Sequence, residues 1–316
     1  MITPLEFLYH FRDLLRERGI RFAITSGMAC VYYGLQQNTK DSDWIIEPAD
    51  LPKLRALLLE HERRVPPWRI SYRHIFGAPL VEEYLAAGWT SHLAIWPSAG
   101  GPEEHVDWFG RPPRVQRWTV NEDGFADREV VAMMKRTDRD KDWPIIQGLG
   151  AQLASRQETA EALVHLQSAA ELVEMYAAAD TTARGIAAQR RPLLRLLEDE
   201  KERARLTGWL RLERVVWECV NRQRHSRYQK AWKEFYRRWK KDDEWVWPTS
   251  EPWTQQHERV ADAVREHGLP VNPLEGVTMD DLVKSALADA AEVSFIPAEQ
   301  LQLVCPPTAE MLPPLP

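Results

Sequence analysis

The spacing of apolar and polar residues divides the chain into a mixed first part and a helical second part. Through about the first 150 residues, runs with alternating apolar side chains are separated by segments with apolar residues three or four apart. These two periods are typical of strands and amphipathic helices. Strands are predicted at about 21–25 and 42–47, and at Trp68–Tyr72, Ser91–Trp96, Glu104–Phe109 and Val115–Val120. Helices are predicted at about 28–35, Ala49–Glu62, Leu80–Ala87 and Asp127–Thr137.

The first residues predict a helix rather than a targeting signal. Thr3 suits the N-cap, Pro4 suits the first helical position, and Glu6 completes a capping box. Charged residues interrupt any apolar run at this end of the chain. No segment approaches the roughly 18 consecutive apolar residues of a membrane span. We therefore expect a protein without a membrane segment.

The second half of the chain is predicted to be almost wholly helical. Residues 190–241 read as long Arg-rich helices, with Gly185 and Pro192 as expected breaks. The Pro-rich tail that starts at Cys305 is expected to be extended or disordered. The fold class is therefore predicted as an α/β domain over 1–147 and an all-α domain over 148–304, followed by a tail over 305–316.

The uneven distribution of charge favours one class of function, and the number and spacing of the cysteines disfavour others. Net charge is −6, yet residues 201–241 hold fourteen Lys or Arg against four Glu. Such an asymmetry favours a polyanion-binding surface on an acidic protein. The three cysteines, Cys30, Cys219 and Cys305, are far apart and show no CxxC spacing. A disulfide framework and a zinc site are therefore disfavoured, and a cytoplasmic location is the simplest expectation.

Two carboxylates on one predicted strand are the first candidate for chemistry. Asp41 and Asp43 alternate with Ser42, so they share one face of the strand. Neighbouring carboxylates repel one another unless a cation lies between them, and Mg²⁺ prefers such oxygen ligands. Upstream, Ser26 and Gly27 form a small-residue turn at a predicted helix N-terminus, where backbone N–H groups can hold phosphate.

Further candidates lie downstream. Asp107 interrupts an apolar strand, where an unpaired carboxylate would be costly, so it is a candidate third metal ligand. Lys135 and Arg139 follow an apolar helical segment and are candidate phosphate contacts. Ordinary structural roles compete with each assignment: strand-edge acids for Asp41 and Asp43, a buried ion pair with an arginine for Asp107, and a contact between domains for Arg139.

These residues together resemble the minimal nucleotidyltransferases of the polymerase-beta superfamily. The resemblance covers about residues 20–147 and rests on the Ser26-Gly27 turn, the run Thr39-Lys40-Asp41-Ser42-Asp43, the later Asp107, and the segment from Lys135 to Asp142. Within the superfamily, the chain is most similar to bacterial proteins that include abortive-infection toxins. It departs from the pattern at the Ser-Gly turn and at Gln37, where many relatives carry Arg.

The resemblance implies a Mg²⁺-dependent transfer of a nucleotidyl group from an NTP to an acceptor hydroxyl. Asp41, Asp43 and Asp107 would hold two Mg²⁺ ions, with Mn²⁺ as the alternative ion, and Asp107 would receive the acceptor proton. Ser26, Gly27, Lys40, Lys135 and Arg139 would bind the nucleotide phosphates. A toxin or phage-defence role, and with it an antitoxin or other partner protein, follows from family analogy alone.

RNA, and tRNA in particular, is the predicted acceptor, because the 201–241 segment interleaves its basic residues with aromatic ones. The competing interpretation is an amphipathic helix whose aromatics lie in the core and whose arginines face water. A protein acceptor is a further alternative. A different class also remains open: a catalytically weak nucleotidyltransferase-like protein that serves as an RNA- or protein-binding module.

Overall fold

The computed structural model describes residues 3–97, 101–242 and 245–312. Within these ranges the first part of the chain forms a five-stranded sheet in the order β1-β2-β5-β4-β3. The β2–β5 pair is parallel and the other three pairs are antiparallel. The strands are β1 (Phe22–Thr25), β2 (Asp41–Ile46), β3 (Arg69–Tyr72), β4 (Thr90–Trp96) and β5 (Glu104–Phe109).

Helices pack around this sheet and are the main regular structure in the second part of the described chain. In the first part they are α1 (Pro4–Glu17), α2 (Ser26–Tyr32), α3 (Leu51–Arg63), α4 (Glu82–Ala86) and α5 (Arg128–Met134). They continue as α6 (Trp143–Ser155), α7 (Thr159–His165), α8 (Ala169–Ala178), α9 (Thr181–Arg190), α10 (Glu200–Ala204), α11 (Leu206–Trp239), α12 (Trp253–Glu266), α13 (Met279–Ser294), α14 (Ala298–Leu301) and α15 (Thr308–Met311). Short 3₁₀ segments lie at Pro48–Asp50, Asp140–Asp142 and Pro192–Glu198.

The predicted capping box at the start of α1 is confirmed. The Thr3 hydroxyl accepts a hydrogen bond from the Glu6 backbone N–H at 3.2 Å, and the Glu6 carboxylate accepts one from the Thr3 N–H at 2.7 Å. The apolar face of α1 is buried, and the Phe11 ring lies 5.5 Å from the Trp44 ring. Helix α1 therefore covers the face of the sheet that carries the strand tryptophans.

Alternation along β2 and β5 separates an apolar face from a polar one. Trp44 and Trp108 are fully buried, with ring centroids 5.9 Å apart, on the face that contacts α1. Asp43 and Asp107 precede them and therefore point to the opposite face. The apolar face anchors the strands, and the polar face carries the candidate site.

The aromatic stripe of the basic segment belongs to the core. Phe235 and Trp239 of α11 are buried, and Trp232 and Tyr236 are partly buried. The Tyr236 hydroxyl lies 2.7 Å from His74 Nε2, next to β3. The core-stripe interpretation is thus confirmed, and α11 packs against the β3 side of the first part of the chain.

Three sequence predictions need correction. Val115–Val120 is not a strand, since only Val120 pairs, in an isolated bridge with Ala126. The preceding Pro112 and Pro113 remove backbone donors, and Arg114 has a φ of 66°. Gly185 does not break a helix but lies inside α9, where an added Cβ would meet nothing within 4 Å. A single glycine costs a helix only about 1 kcal/mol, so tertiary packing overrides it.

The tail is the third correction. Residues 305–312 are packed against the molecule rather than free, and Met311 and Leu312 are buried. Glu310 forms an ion pair with Arg190 at 3.1 Å, which ties this segment to the end of α9. Residues 313–316 of the predicted tail lie outside the described residues.

Helix α6 runs through the predicted domain boundary at 147–148 without a break.

None of the helices in the described ranges has the length and apolar character needed to cross a bilayer.

Candidate functional site

A row of polar side chains crosses the polar face of the sheet. Thr25 pairs with Asp43, Asp43 with Asp107, and Asp107 with His92 in the strand register. The backbone N–H of Arg73, just beyond β3, donates to the His92 carbonyl at 3.0 Å and extends the row. Partners in register project to the same face, so this row places the predicted carboxylates beside a histidine and an arginine.

Asp43 and Asp107 lie on adjacent parallel strands and share this face. The pKa of Asp43 is raised to about 6 because burial disfavours its charged form and the Asp107 carboxylate repels it. A hydrogen bond from Ser26 and the charge of Lys135 act in the opposite direction. The site therefore holds more negative charge than its immediate surroundings neutralise, which is common where protein sites bind cations or handle protons.

Arg73 is the cation closest to these carboxylates. Its Nη1 lies 3.2 Å from Asp107 Oδ1 and 3.7 Å from Asp41 Oδ1. Asp107 Oδ1 also lies 2.7 Å from His92 Nδ1. Asp107 thus forms the ion pair with an arginine that was the competing interpretation of this residue, although it also lies beside Asp43.

Asp41 occupies the more open end of the site. It pairs in register with His105, whose Nδ1 lies 2.9 Å from Asp41 Oδ1. The other ring nitrogen of His105 lies 3.1 Å from Glu103 Oε1. About half of the Asp41 side chain is exposed, at 48%, whereas Asp107 is 14% exposed. Ligands can therefore approach the row from the Asp41 end.

The Ser26-Gly27 turn reaches the same site from β1. Ser26 has a φ of 52°, a left-handed conformation that is costly for a residue with a side chain. Its hydroxyl hydrogen-bonds Asp43 and so joins the turn to the acidic row. Gly27 packs so closely on Thr39 that an added Cβ would overlap the Thr39 side chain. The close packing explains why glycine is needed at this position.

The three predicted phosphate cations differ in their surroundings. Lys135 is buried, and its Nζ lies 3.3 Å from Asp142 Oδ1. The buried Asp142 also accepts hydrogen bonds from Thr137 at 2.6 Å and from Arg139 Nε at 2.8 Å. Arg139 therefore joins Lys135 in one turn-stabilising cluster. Lys40 instead is exposed beside a cleft of about 480 Å³ that His105 also lines.

The arrangement does not form a metal-binding group as it stands. Across the described residues, no three His, Cys, Asp or Glu side chains are placed to hold one ion. Asp41, Asp43 and Asp107 share a face, but the cation between Asp41 and Asp107 is the Arg73 guanidinium. The predicted pair of Mg²⁺ ions thus stays a prediction, and these carboxylates would have to exchange Arg73 for metal.

Sequence reasoning missed Arg73, His92 and His105. For His105 a signal was present, since it alternates with Asp107 in one strand just as Asp41 does with Asp43. The other two depend on the antiparallel register of β3 and β4 against β5. That register comes from tertiary pairing, which the residue pattern of a single strand does not contain.

The basic segment keeps its charges outside. Lys230, Lys233 and Arg237 are exposed on one face of α11 and form no ion pair with any described residue. The seven aromatic residues interleaved with these charges lie in the core or are partly buried, at Trp209, Trp217, Tyr228, Trp232, Phe235, Tyr236 and Trp239. This surface can therefore attract a polyanion through its positive charges, but the aromatic side chains of α11 are not exposed on it.

Comparisons with protein-family models, curated proteins and solved structures found no match to this chain. The resemblance to nucleotidyltransferases therefore rests on the motif residues of the sequence alone.

Proposed function

We propose that this protein transfers a nucleotidyl group from a nucleoside triphosphate to an acceptor hydroxyl, as a member of the polymerase-beta superfamily. The observation that carries the proposal is the pairing of Asp43 with Asp107 on adjacent parallel strands, with Asp41 two residues away on the same face. Three carboxylates on one face next to a Ser-Gly turn fit the needs of phosphoryl-group chemistry, which are positioning and charge neutralisation.

The carboxylates would have separate tasks. Mg²⁺ held by Asp41, Asp43 and Asp107 would supply positive charge at the α-phosphate and lower the pKa of the acceptor hydroxyl. Proton acceptance stays with the Asp107 assigned from sequence, because the raised pKa of Asp43 belongs to the metal-free chain and would fall once Asp43 held Mg²⁺. Asp107 is already in contact with Arg73 and His92.

The phosphates would lie between the Ser26-Gly27 turn and the open end of the row. Lys40 is exposed directly before Asp41 in the chain, and it is the predicted phosphate cation that the Asp142 cluster does not hold. Lys135 and Arg139 would act through Asp142, by holding the turn after α5 in place. Their predicted direct contact with phosphate is therefore replaced by a positioning role in this proposal.

A transfer assay tests the proposal. Each α-³²P-labelled NTP is incubated with the protein, Mg²⁺ or Mn²⁺, and total RNA or protein as acceptor. We expect label transfer that Asp41→Asn and Asp107→Asn each reduce more than about tenfold. Asp13→Asn, an exposed acid on α1 with 51% side-chain exposure, is the control and should transfer normally. Wild-type activity in folded Asp107→Asn protein would contradict the proposed role of that carboxylate.

A second candidate is an RNA-binding module with little catalytic power. The binding-module candidate is favoured by Lys230, Lys233 and Arg237 on α11, which form no ion pair with a described residue. It is also favoured by Arg73, which lies among the carboxylates. Charge reversal of the three α11 residues to Glu should then strongly weaken RNA binding and flatten the salt dependence of the affinity that remains. If RNA binding survives the triple reversal, α11 is not the binding surface.

A further inference from the structure

Hydrogen bonds fix the backbone just before Arg73, and the side chain of Arg73 is held at its guanidinium group. The preceding Tyr72 donates its backbone N–H to Gln256 Oε1 at 3.0 Å, and its carbonyl accepts from Trp247 Nε1 at 3.2 Å. Both partners come from the helical part of the chain. These two contacts place the backbone of residue 73 beside the acidic row independently of the contacts that its side chain makes.

The guanidinium of Arg73 has partners only at the acidic site. Among the described residues, its side-chain hydrogen bonds and ion pairs are those to Asp107 Oδ1 and Asp41 Oδ1, and Arg73 also lines a small cavity with Trp247. No backbone carbonyl or aromatic ring in the described chain holds it. Its side chain is 21% exposed, so it can turn towards solvent without crossing the core. The two carboxylates are therefore what keeps it in place.

We propose that Arg73 and a divalent cation compete for the Asp41–Asp107 pair, and that the triphosphate of the nucleotide receives the displaced guanidinium. The second half of the proposal rests on the proposed function. A divalent ion carries twice the charge of a guanidinium and prefers carboxylate oxygens, so it can replace Arg73 at this pair. The freed guanidinium has a planar fork that matches phosphate oxygens.

This exchange makes metal and nucleotide binding cooperative. Metal alone must displace Arg73 and leave its charge with no carboxylate partner. When the triphosphate is present, it supplies a new partner for the guanidinium, so metal binds more tightly. By thermodynamic linkage, metal must raise the affinity for nucleotide by the same factor. The site would thus bind free metal weakly until substrate arrives.

Direct Mn²⁺ binding, followed by the loss of the free-ion paramagnetic resonance signal, tests the competition without any activity. Arg73→Gln removes the resident cation, so we expect Mn²⁺ alone to bind about tenfold more tightly than to wild type. Arg69→Gln is the matched control. It removes the same charge four residues away, at the other end of β3. The Arg69 guanidinium lies over the Trp96 ring at 4.5 Å, so the variant should leave Mn²⁺ binding unchanged.

Arg73→Lys provides a second variant if Arg73→Gln does not fold. Lysine keeps the charge but lacks the fork, so we expect an affinity for Mn²⁺ between those of wild type and Arg73→Gln. If every folded Arg73 variant binds Mn²⁺ with wild-type affinity, the competition is overturned.

The same titrations with NTP present separate this inference from the proposed function. We expect NTP to tighten Mn²⁺ binding in wild type and to do so less in Arg73→Gln. Tighter Mn²⁺ binding by Arg73→Gln, with no NTP binding to any variant, would keep the competition and reject the nucleotide function. NTP binding with equal coupling in both proteins would keep the function and reject the role of Arg73.

Discussion

Two charged clusters, a buried one among the helices and a partly exposed one on the sheet, are built on opposite principles. In the helical part, Arg191 and Glu213 form an ion pair at 2.7 Å with both side chains almost fully buried. The remaining donors of Arg191 reach the carbonyls of Leu163 and Leu166 at 3.0 and 2.6 Å. On the sheet, Asp41, Asp43 and Asp107 share a single close arginine.

The difference separates a structural cluster from a candidate site. The Arg191 charge is paired with Glu213 and each of its side-chain nitrogens has a partner. The nearby Arg136 is the exception in this cluster, because its Nε and Nη1 are buried without a hydrogen-bond partner among the described residues. The carboxylates around Asp43 are not paired in this way, and burial, followed by repulsion from Asp107, raises the pKa of Asp43. Burying like charges together lowers stability, so a fold that keeps them is consistent with a ligand that supplies the missing positive charge.

The largest effect is expected from breaking the matched pair. Glu213→Ala leaves the Arg191 charge buried without its carboxylate, and we expect a loss of about 3–5 kcal/mol in the free energy of unfolding. Glu218→Ala, on the same helix, breaks a more exposed pair with Arg214 and should cost less than about 1 kcal/mol. Urea denaturation of both variants measures the two values. Equal losses would contradict the contrast between the two clusters.

Neutralising a carboxylate of the sheet cluster should stabilise the fold rather than destabilise it. Because the pKa of Asp43 in the folded chain is about 6 and its ordinary value is 3.8, the protonated carboxyl stabilises the fold below pH 3.8, and this stabilisation is lost as pH rises through 6. Asp43→Asn avoids that loss. We expect it to be more stable than wild type by about 1–3 kcal/mol above pH 7, with the difference vanishing near pH 4.

Thermal melts across this pH range measure the effect, and Asp13→Asn, at an exposed position on α1, is the control. A variant that is less stable than wild type at pH 7 would show that Asp43 is a structural carboxylate.

The smallest effect is expected at Asp142, the balanced carboxylate near the same site. Burial would raise its pKa, but the Thr137 hydrogen bond and the charges of Lys135 and Arg139 outweigh burial and lower it. Its contribution is therefore present above pH 3.8 and is lost as pH falls through the lowered pKa. We expect Asp142→Asn to lose about 1–2 kcal/mol at pH 7 and to approach wild type on acidification. A pH profile like that of Asp43→Asn would contradict this assignment.

The polar face of β2 could be predicted from sequence, whereas the arginine beside it could not. Alternation in Asp41-Ser42-Asp43 and in His105-Val106-Asp107 is a local property of each strand. The contact between Asp107 and Arg73 joins residues 34 positions apart and depends on how β3, β4 and β5 pair. Single-strand patterns do not specify that pairing.

Local signals also misled where tertiary packing decides the outcome. Gly185 is a weak helix former, yet α9 continues through it to Arg190. The Pro-rich composition after Cys305 predicted an extended or disordered tail, but Met311 and Leu312 find an apolar site and Glu310 finds Arg190. Composition alone does not show whether such a site exists elsewhere in the chain.

The most direct test of the acidic row as a nucleotide site is isothermal titration of each Mg²⁺·NTP into wild-type protein and into the Asp41→Ala/Asp43→Ala double variant. We predict binding of at least one NTP that requires Mg²⁺ and is lost in the double variant. If no NTP binds wild type, or if the double variant binds equally well, the acidic row is not a nucleotide site and its mismatched charges need another explanation.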